Sequence, residues 1–207
     1  MPPRVKFQKE DIVSAAVNIV RKKGIEAVTA REVAAELGVS TRPIFTWFET
    51  IEQLKGEVYK QAQEYYRRYI RDGLKEKIPF LGVGHQYIHF AKEEPELYKL
   101  LFLTKSSDSS GGAMEALELS QNLVRESIMN IYNMNAYTAD CYFRNLWLVA
   151  FSMATLIVTD DCPYTDKEIS SIFTEMSLAV CKAYKEIPGL AKGNYDRDAI
   201  FKELVRK

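Results

Sequence analysis

The sequence predicts an all-α protein: a small three-helix amino-terminal unit joined to a larger helical remainder. Three observations predict it. Prolines and glycines cut the chain into helix-length pieces, and almost none of those pieces shows the period-two alternation of a half-buried strand. Apolar residues recur at helical spacing within them, and capping sequences stand at the head of several. The composition agrees with a fold held by burial: 47% of the 207 residues are hydrophobic and 27% charged, with only 10 glycines and 7 prolines. That excludes a disordered or collagen-like chain.

The first predicted helix covers residues 8–23, with Ile12, Ala16, Ile19 and Val20 on one face, and ends on three basic residues before Gly24. Thr29-Ala-Arg-Glu32 is a capping box that opens a second helix, closed by Gly38. Ser40 is placed to cap a short third helix, 41–48, in which Pro43 is the third residue after the cap and costs little. Thr50-Ile-Glu-Gln53 opens a long fourth helix reaching about residue 77. A fifth runs from Pro79 to about Glu94, and Pro95 begins a sixth through Leu97, Leu100, Leu101 and Phe102. Residues 106–112, SSDSSGG, are a low-complexity stretch expected to form a mobile loop. A seventh helix spans 113–132 and a very apolar eighth 135–160. The capping box Thr165-Asp-Lys-Glu168 opens a ninth to about 186, and a last helix is expected over 196–207.

Charge and cysteine usage narrow the setting. Twenty-eight basic residues cancel 28 acidic ones, so any electrostatic footprint must be local. The first 50 residues carry eight basic and six acidic side chains, a net of +2 against −2 for the remainder. Cys141, Cys162 and Cys181 are odd in number and widely spaced, which fits small buried hydrophobes in a reducing cytoplasm better than a disulfide framework or zinc site. The longest apolar stretch, 146–158, is broken by Ser152 and Thr155 and is too short to span a bilayer. The first residues lack the apolar core of a secretion signal, so no membrane partner is expected.

The informative unit is residues 26–55. A helix, a tight turn at Gly38-Val39-Ser40 and a second short helix make a helix-turn-helix. Val33, Leu37, Val39, Ile44 and Phe48 can pack on Ile12, Ile19 and Val20, which leaves the other side of 41–47 free to enter a major groove.

The run Ile12-x-x-Ala15-Ala16, Thr29-Ala30-Arg31-Glu32-Val33-Ala34, Gly38-Val39-Ser40, Ile44-Phe45-x-Trp47-Phe48 and Leu54 resembles the TetR family of bacterial repressors over residues 8–56. That resemblance implies a helix-turn-helix DNA-binding domain over 1–50 and an effector-binding and dimerisation domain over 51–207. It implies that Ser40, Thr41, Arg42, Phe45, Thr46 and Trp47 face DNA, with Thr29, Arg31 and Lys55 as further contacts. Arg42 is the candidate base reader, because its guanidinium can bind guanine O6 and N7 together. Three residues depart from the family pattern. Phe45 stands where a tyrosine is common, Trp47 where a histidine or tyrosine is common, and Ile51 where a lysine is common. Each loses a polar backbone contact, for which Lys55, Arg4 and Lys6 are possible replacements. The family implies a homodimer on a double-stranded, pseudo-palindromic operator, released by a small-molecule effector of partly apolar or aromatic character. The dimer seam is expected from Val149, Met153, Leu156, Ile157, Ile169, Ile172, Phe173, Met176 and Val180. The effector pocket is expected among Tyr66, Tyr69, Tyr87, Phe90, Phe102, Trp147 and Phe151, with Gln86 or Asn122 as polar contacts; helical spacing alone equally suits an ordinary core. An alternative is a DNA-binding regulator with no effector, or a small-molecule-binding protein or enzyme on the same scaffold.

Two further features have bland readings beside the sharp one. His85, His89 and Glu93 share a helix face at metal-binding spacing, but the same spacing suits two half-exposed histidines, and no metal or other cofactor is expected. Lys22 and Lys23 form either a phosphate patch or a solvated helix end. There is no phosphate-cradling glycine loop, no nucleophile elbow and no evident triad, so catalysis is not expected.

Overall fold

The computed structural model describes residues 7–104 and 112–205. Ten α-helices run through these residues: α1 Lys9–Lys23, α2 Ala30–Leu37, α3 Ile44–Trp47, α4 Ile51–Gly73, α5 Pro79–Glu93, α6 Pro95–Tyr98, α7 Ala113–Tyr132, α8 Ala136–Val158, α9 Asp166–Glu186 and α10 Arg197–Val205. No strand occurs among the described residues. The predicted loop lies almost wholly outside them, as do Arg4 and Lys6.

The capping residues set the helix starts. The Thr29 hydroxyl accepts from the Glu32 amide at 3.2 Å, the Thr50 hydroxyl from Gln53, the Asn135 side chain from Thr138 and the Thr165 hydroxyl from Glu168. Gly38 closes α2 at φ 67°, a left-handed backbone that favours glycine.

Three boundaries differ from the sequence expectation. α4 ends at Gly73 rather than near residue 77, because the chain folds back there at backbone contact: a Cβ on Gly73 would sit 2.6 Å from the Val83 amide nitrogen and 2.7 Å from the Gly82 carbonyl oxygen. α6 passes into a π-helical turn, Lys99–Leu103, closed by the Thr104 amide donating to the Lys99 carbonyl at 2.9 Å. α3 is shorter than predicted and begins after Pro43, as described below.

α4 buries Leu54, Val58, Ala62, Tyr66 and Ile70, one residue per turn along its length. The stripe packs on α1 at its first half and on α5 further on. α8 fills the centre of the larger unit, with Tyr142, Phe143, Leu146, Trp147 and Ala150 buried between α5, α7 and α9. By length and composition α8 is apolar enough to cross a membrane, yet half of its most apolar window is buried inside the fold. Cys141 is buried, Cys162 and Cys181 are half-buried, and all three are free.

The amino-terminal helices are fastened to the larger unit by more than α4. The Arg21 guanidinium in α1 grips the Glu94 carboxylate between α5 and α6, with Nε–Oε2 at 2.8 Å and Nη2–Oε1 at 2.6 Å. The same guanidinium lies 4.7 Å from the Tyr65 ring centroid. Hydrogen bonding to the carboxylate raises the Arg21 pKa above its ordinary value.

Candidate nucleic-acid interface

α2, the Gly38 turn and α3 form the helix-turn-helix. Ile44 and Phe48 point inward, 0% and 3% exposed, and with Val33 they rest on the buried face of α1. Thr41, Arg42, Phe45, Thr46 and Trp47 consequently face outward, with Phe45 51% and Trp47 47% exposed. Two bare aromatic rings beside a free guanidinium make a surface that water alone solvates poorly, suited to methyl groups and sugar edges as well as phosphates.

The reader is built differently from the predicted 41–48 helix. Ser40 caps nothing; residues 40–43 form a turn in which the Ile44 amide donates to the Thr41 carbonyl at 3.1 Å, and Pro43 is itself the amino-terminal cap. Proline disfavours helical backbone at the residue before it, here Arg42, so the helix starts at Ile44, three residues later than predicted. Arg42 and Thr41 therefore project from the turn rather than from the helix. The Thr46 hydroxyl donates to the Arg42 carbonyl at 3.1 Å and braces that turn.

The remaining candidates differ in what they have free. Ser40 and Arg31 are exposed, and neither Arg31 nor Arg42 has an ion-pair partner among the described residues. Thr29 is exposed but holds the start of α2. The Trp47 indole donates to the Phe7 carbonyl at 3.1 Å, which ties the segment before α1 to the reader and leaves the ring face, not the N–H, for a partner. Lys55 is turned to Glu26, 3.8 Å away, a distance that leaves it able to exchange partners. Lys22 pairs with Glu36 at 2.9 Å and Lys23 with Glu32 at 2.8 Å, so neither stands as an uncompensated phosphate patch. Glu32 holds the Lys23 pKa up and Lys23 holds that of Glu32 down.

In the larger unit an apolar cavity of about 30 Å³ lies between α4, α5, α8 and α9. Tyr66, Tyr87 and Trp147 line it. Phe90 and Phe102 instead pack in an aromatic cluster around Tyr66, with ring centroids 5.4 and 5.2 Å from it. Tyr69 points outward and donates to Glu93 at 2.7 Å, and Phe151 stacks on Trp147 at 5.1 Å. Gln86 is half-buried and Asn122 is exposed, accepting from Arg125; neither lines the cavity. Walls that sequence reasoning missed include Phe80, Gly84, Phe173 and Ser177.

Three residues expected at a dimer seam belong to the protomer's own core. Met153, Ile169 and Phe173 are 7%, 4% and 4% exposed, because α8 and α9 turn those positions onto α5. Val149, Leu156, Ile157, Ile172 and Val180 are half-buried and Met176 is exposed, beside exposed Leu148 and Leu178. His85 Nε2 lies 3.0 Å from the Ser170 hydroxyl and His89 Nε2 3.1 Å from Glu93. No metal-holding cluster of three ligands occurs among the described residues.

An exposed reading face over buried Ile44 and Phe48 defines a helix-turn-helix DNA-binding unit. Residues 12–58 match the model of the bacterial regulatory proteins, tetR family, which spans α1 to the first turns of α4. That match assigns the amino-terminal part of the chain to the DNA-binding domain of bacterial transcriptional regulators of this family. No curated protein matches the chain.

Proposed function

We propose that the chain is a homodimeric, effector-responsive repressor acting in the bacterial cytoplasm, divided near residue 50 into a reader and an effector-binding and dimerisation domain. The observation that carries this is the continuity of α4: one helix supports the reader at Ile51 and lines the cavity at Tyr66. A molecule entering the cavity presses on the element that positions the reader. So short a reader contacts only a few base pairs, so two copies about 34 Å apart on a pseudo-palindrome are needed for useful affinity. The outer face of α8 and α9, with Leu148, Val149, Leu156, Ile157, Ile172, Met176, Leu178 and Val180, is our candidate seam. Coupling of about 1 to 3 kcal/mol between effector and operator suffices for induction, and it is reciprocal.

Duplexes selected from a random pool should yield a two-fold symmetric site. Arg42→Ala should lose preference for that site in a gel shift while sedimenting as a folded dimer. Unchanged preference would reject Arg42 as a reader, and a stable monomer would reject the paired geometry. A second reading, a regulator without an effector, is favoured by the cavity volume of about 30 Å³, room for only a water or two.

A further inference from the structure

The cavity between α4, α5, α8 and α9 has walls of one chemical character. None of them is Asp, Glu, Lys, Arg or His. An ionised guest would leave water and find no counter-charge, so charged molecules are disfavoured. The side-chain hydroxyls on the walls already have partners behind the lining. Tyr66 Oη is 2.6 Å from the Ser120 hydroxyl, Tyr87 Oη is 3.3 Å from Tyr98 Oη, and Ser177 Oγ is 2.7 Å from Tyr142 Oη.

Trp147 is the exception. It is 5% exposed, and its buried Nε1–H has no acceptor among the described residues. An indole nitrogen can only donate. A buried donor without an acceptor has lost its hydration for nothing, and any guest that presents an acceptor restores that loss.

The wall formed by α9 is held by the fewest buried side chains. The Phe173 ring lies against Gly84, where a Cβ would stand 3.6 Å from Cδ1, and α9 buries only Ile169 and Phe173. A guest larger than a water or two requires this ring to turn outward, away from the Tyr66–Ser120 and Tyr87–Tyr98 pairs.

We propose that the cavity takes an uncharged, chiefly apolar molecule with a hydrogen-bond acceptor such as a carbonyl oxygen, and that the Trp147 indole N–H is its polar anchor. This names the effector class of the regulator proposed above and rests on that reading.

The test uses the full chain labelled with ¹⁵N at the tryptophan indoles, and three probes of similar size: acetophenone, cumene and benzoate. Millimolar acetophenone is expected to move the Trp147 indole resonance downfield and leave Trp47 unmoved. Cumene should compete without that shift, and benzoate should do neither. Trp147→Phe, which keeps a ring but no donor, should erase a preference of about five-fold for acetophenone over cumene, the size of one net hydrogen bond. A Trp147 resonance that ignores acetophenone, or benzoate binding as well as the ketone, would overturn the assignment; the labelled wild-type protein decides this even if the variant fails to fold. Operator binding is measured separately by anisotropy. A missing indole shift with operator binding intact sinks the ligand class alone, whereas an intact shift without operator binding sinks the regulator reading alone.

Discussion

Breaking the clasp between Arg21 and Glu94 should loosen the amino-terminal helices measurably and unequally. The Arg21 side chain is 33% exposed and that of Glu94 15%. Fully exposed pairs contribute 0 to 1 kcal/mol, and stripping one partner from a buried pair costs about 3 to 5 kcal/mol. Two contacts of 2.8 and 2.6 Å at intermediate burial place Arg21→Met near 2 kcal/mol, because the more buried carboxylate is the one left alone. Glu94→Gln should cost only about 1 kcal/mol, since the amide oxygen still accepts one N–H and the abandoned guanidinium reaches water. For a chain of this size, about 2 to 4 °C per kcal/mol converts these to losses near 6 and 3 °C in Tm. The double variant should fall short of additivity by about 1 kcal/mol. The Tyr65 contact is absent from both variants that lack the guanidinium, so the cycle isolates the carboxylate. Additive losses, or single variants within 1 °C of the wild type, would show that the clasp is solvated and contributes nothing.

Gly73→Ala should cost about 3 kcal/mol in urea unfolding, because its methyl group meets the backbone of Gly82 and Val83 below 3 Å and neither can withdraw; a midpoint unchanged within error would mean that α4 and α5 separate freely there. Tyr66→Phe should cost about 1 kcal/mol, less than a full orphaned donor, since the Ser120 hydroxyl keeps its bond to the Ala116 carbonyl at 2.6 Å. Burial raises the Tyr66, Tyr87 and Tyr142 phenols above their usual pKa near 10. The folded chain then holds protons that the unfolded chain releases, so stability should fall as pH rises beyond about 10; a urea midpoint that stays unchanged from about pH 9 to 11 would contradict this. Thr165→Ala removes the hydroxyl half of a capping box, while the backbone amide at that position still donates to the Glu168 carboxylate, and should lower Tm by about 3 °C in a thermal melt.

Local chemistry made the helix starts readable. Thr29, Thr50 and Thr165 each cap a helix by a bond within three residues, so sequence alone contains both partners. The end of α4 is different: Gly73 matters because Gly82 arrives from the next helix, and nothing near Gly73 announces that approach. Periodicity likewise found the apolar faces of α8 and α9 but could not say which side meets the protomer's own α5, so Met153, Ile169 and Phe173 were expected on the outside. The reading face was legible through Ile44 and Phe48, four residues apart, yet the turn that displays Arg42 depended on how Pro43 resolved the competition between cap and helix. Arg21 shares its basic run with Lys22 and Lys23; only the fold distinguishes the one that meets Glu94.

α4 has a mechanical consequence. At 1.5 Å per residue, about 22 Å of rod separates Tyr66 from Ile51. Pivoting it by about 5° at Tyr66 sweeps the Ile51 end through an arc of about 2 Å, whereas a hydrogen bond to a base edge fails over a fraction of that distance. Under the effector-responsive reading proposed above, leverage rather than force sets the threshold: a guest that nudges one ring at the fulcrum has its displacement magnified at the tip.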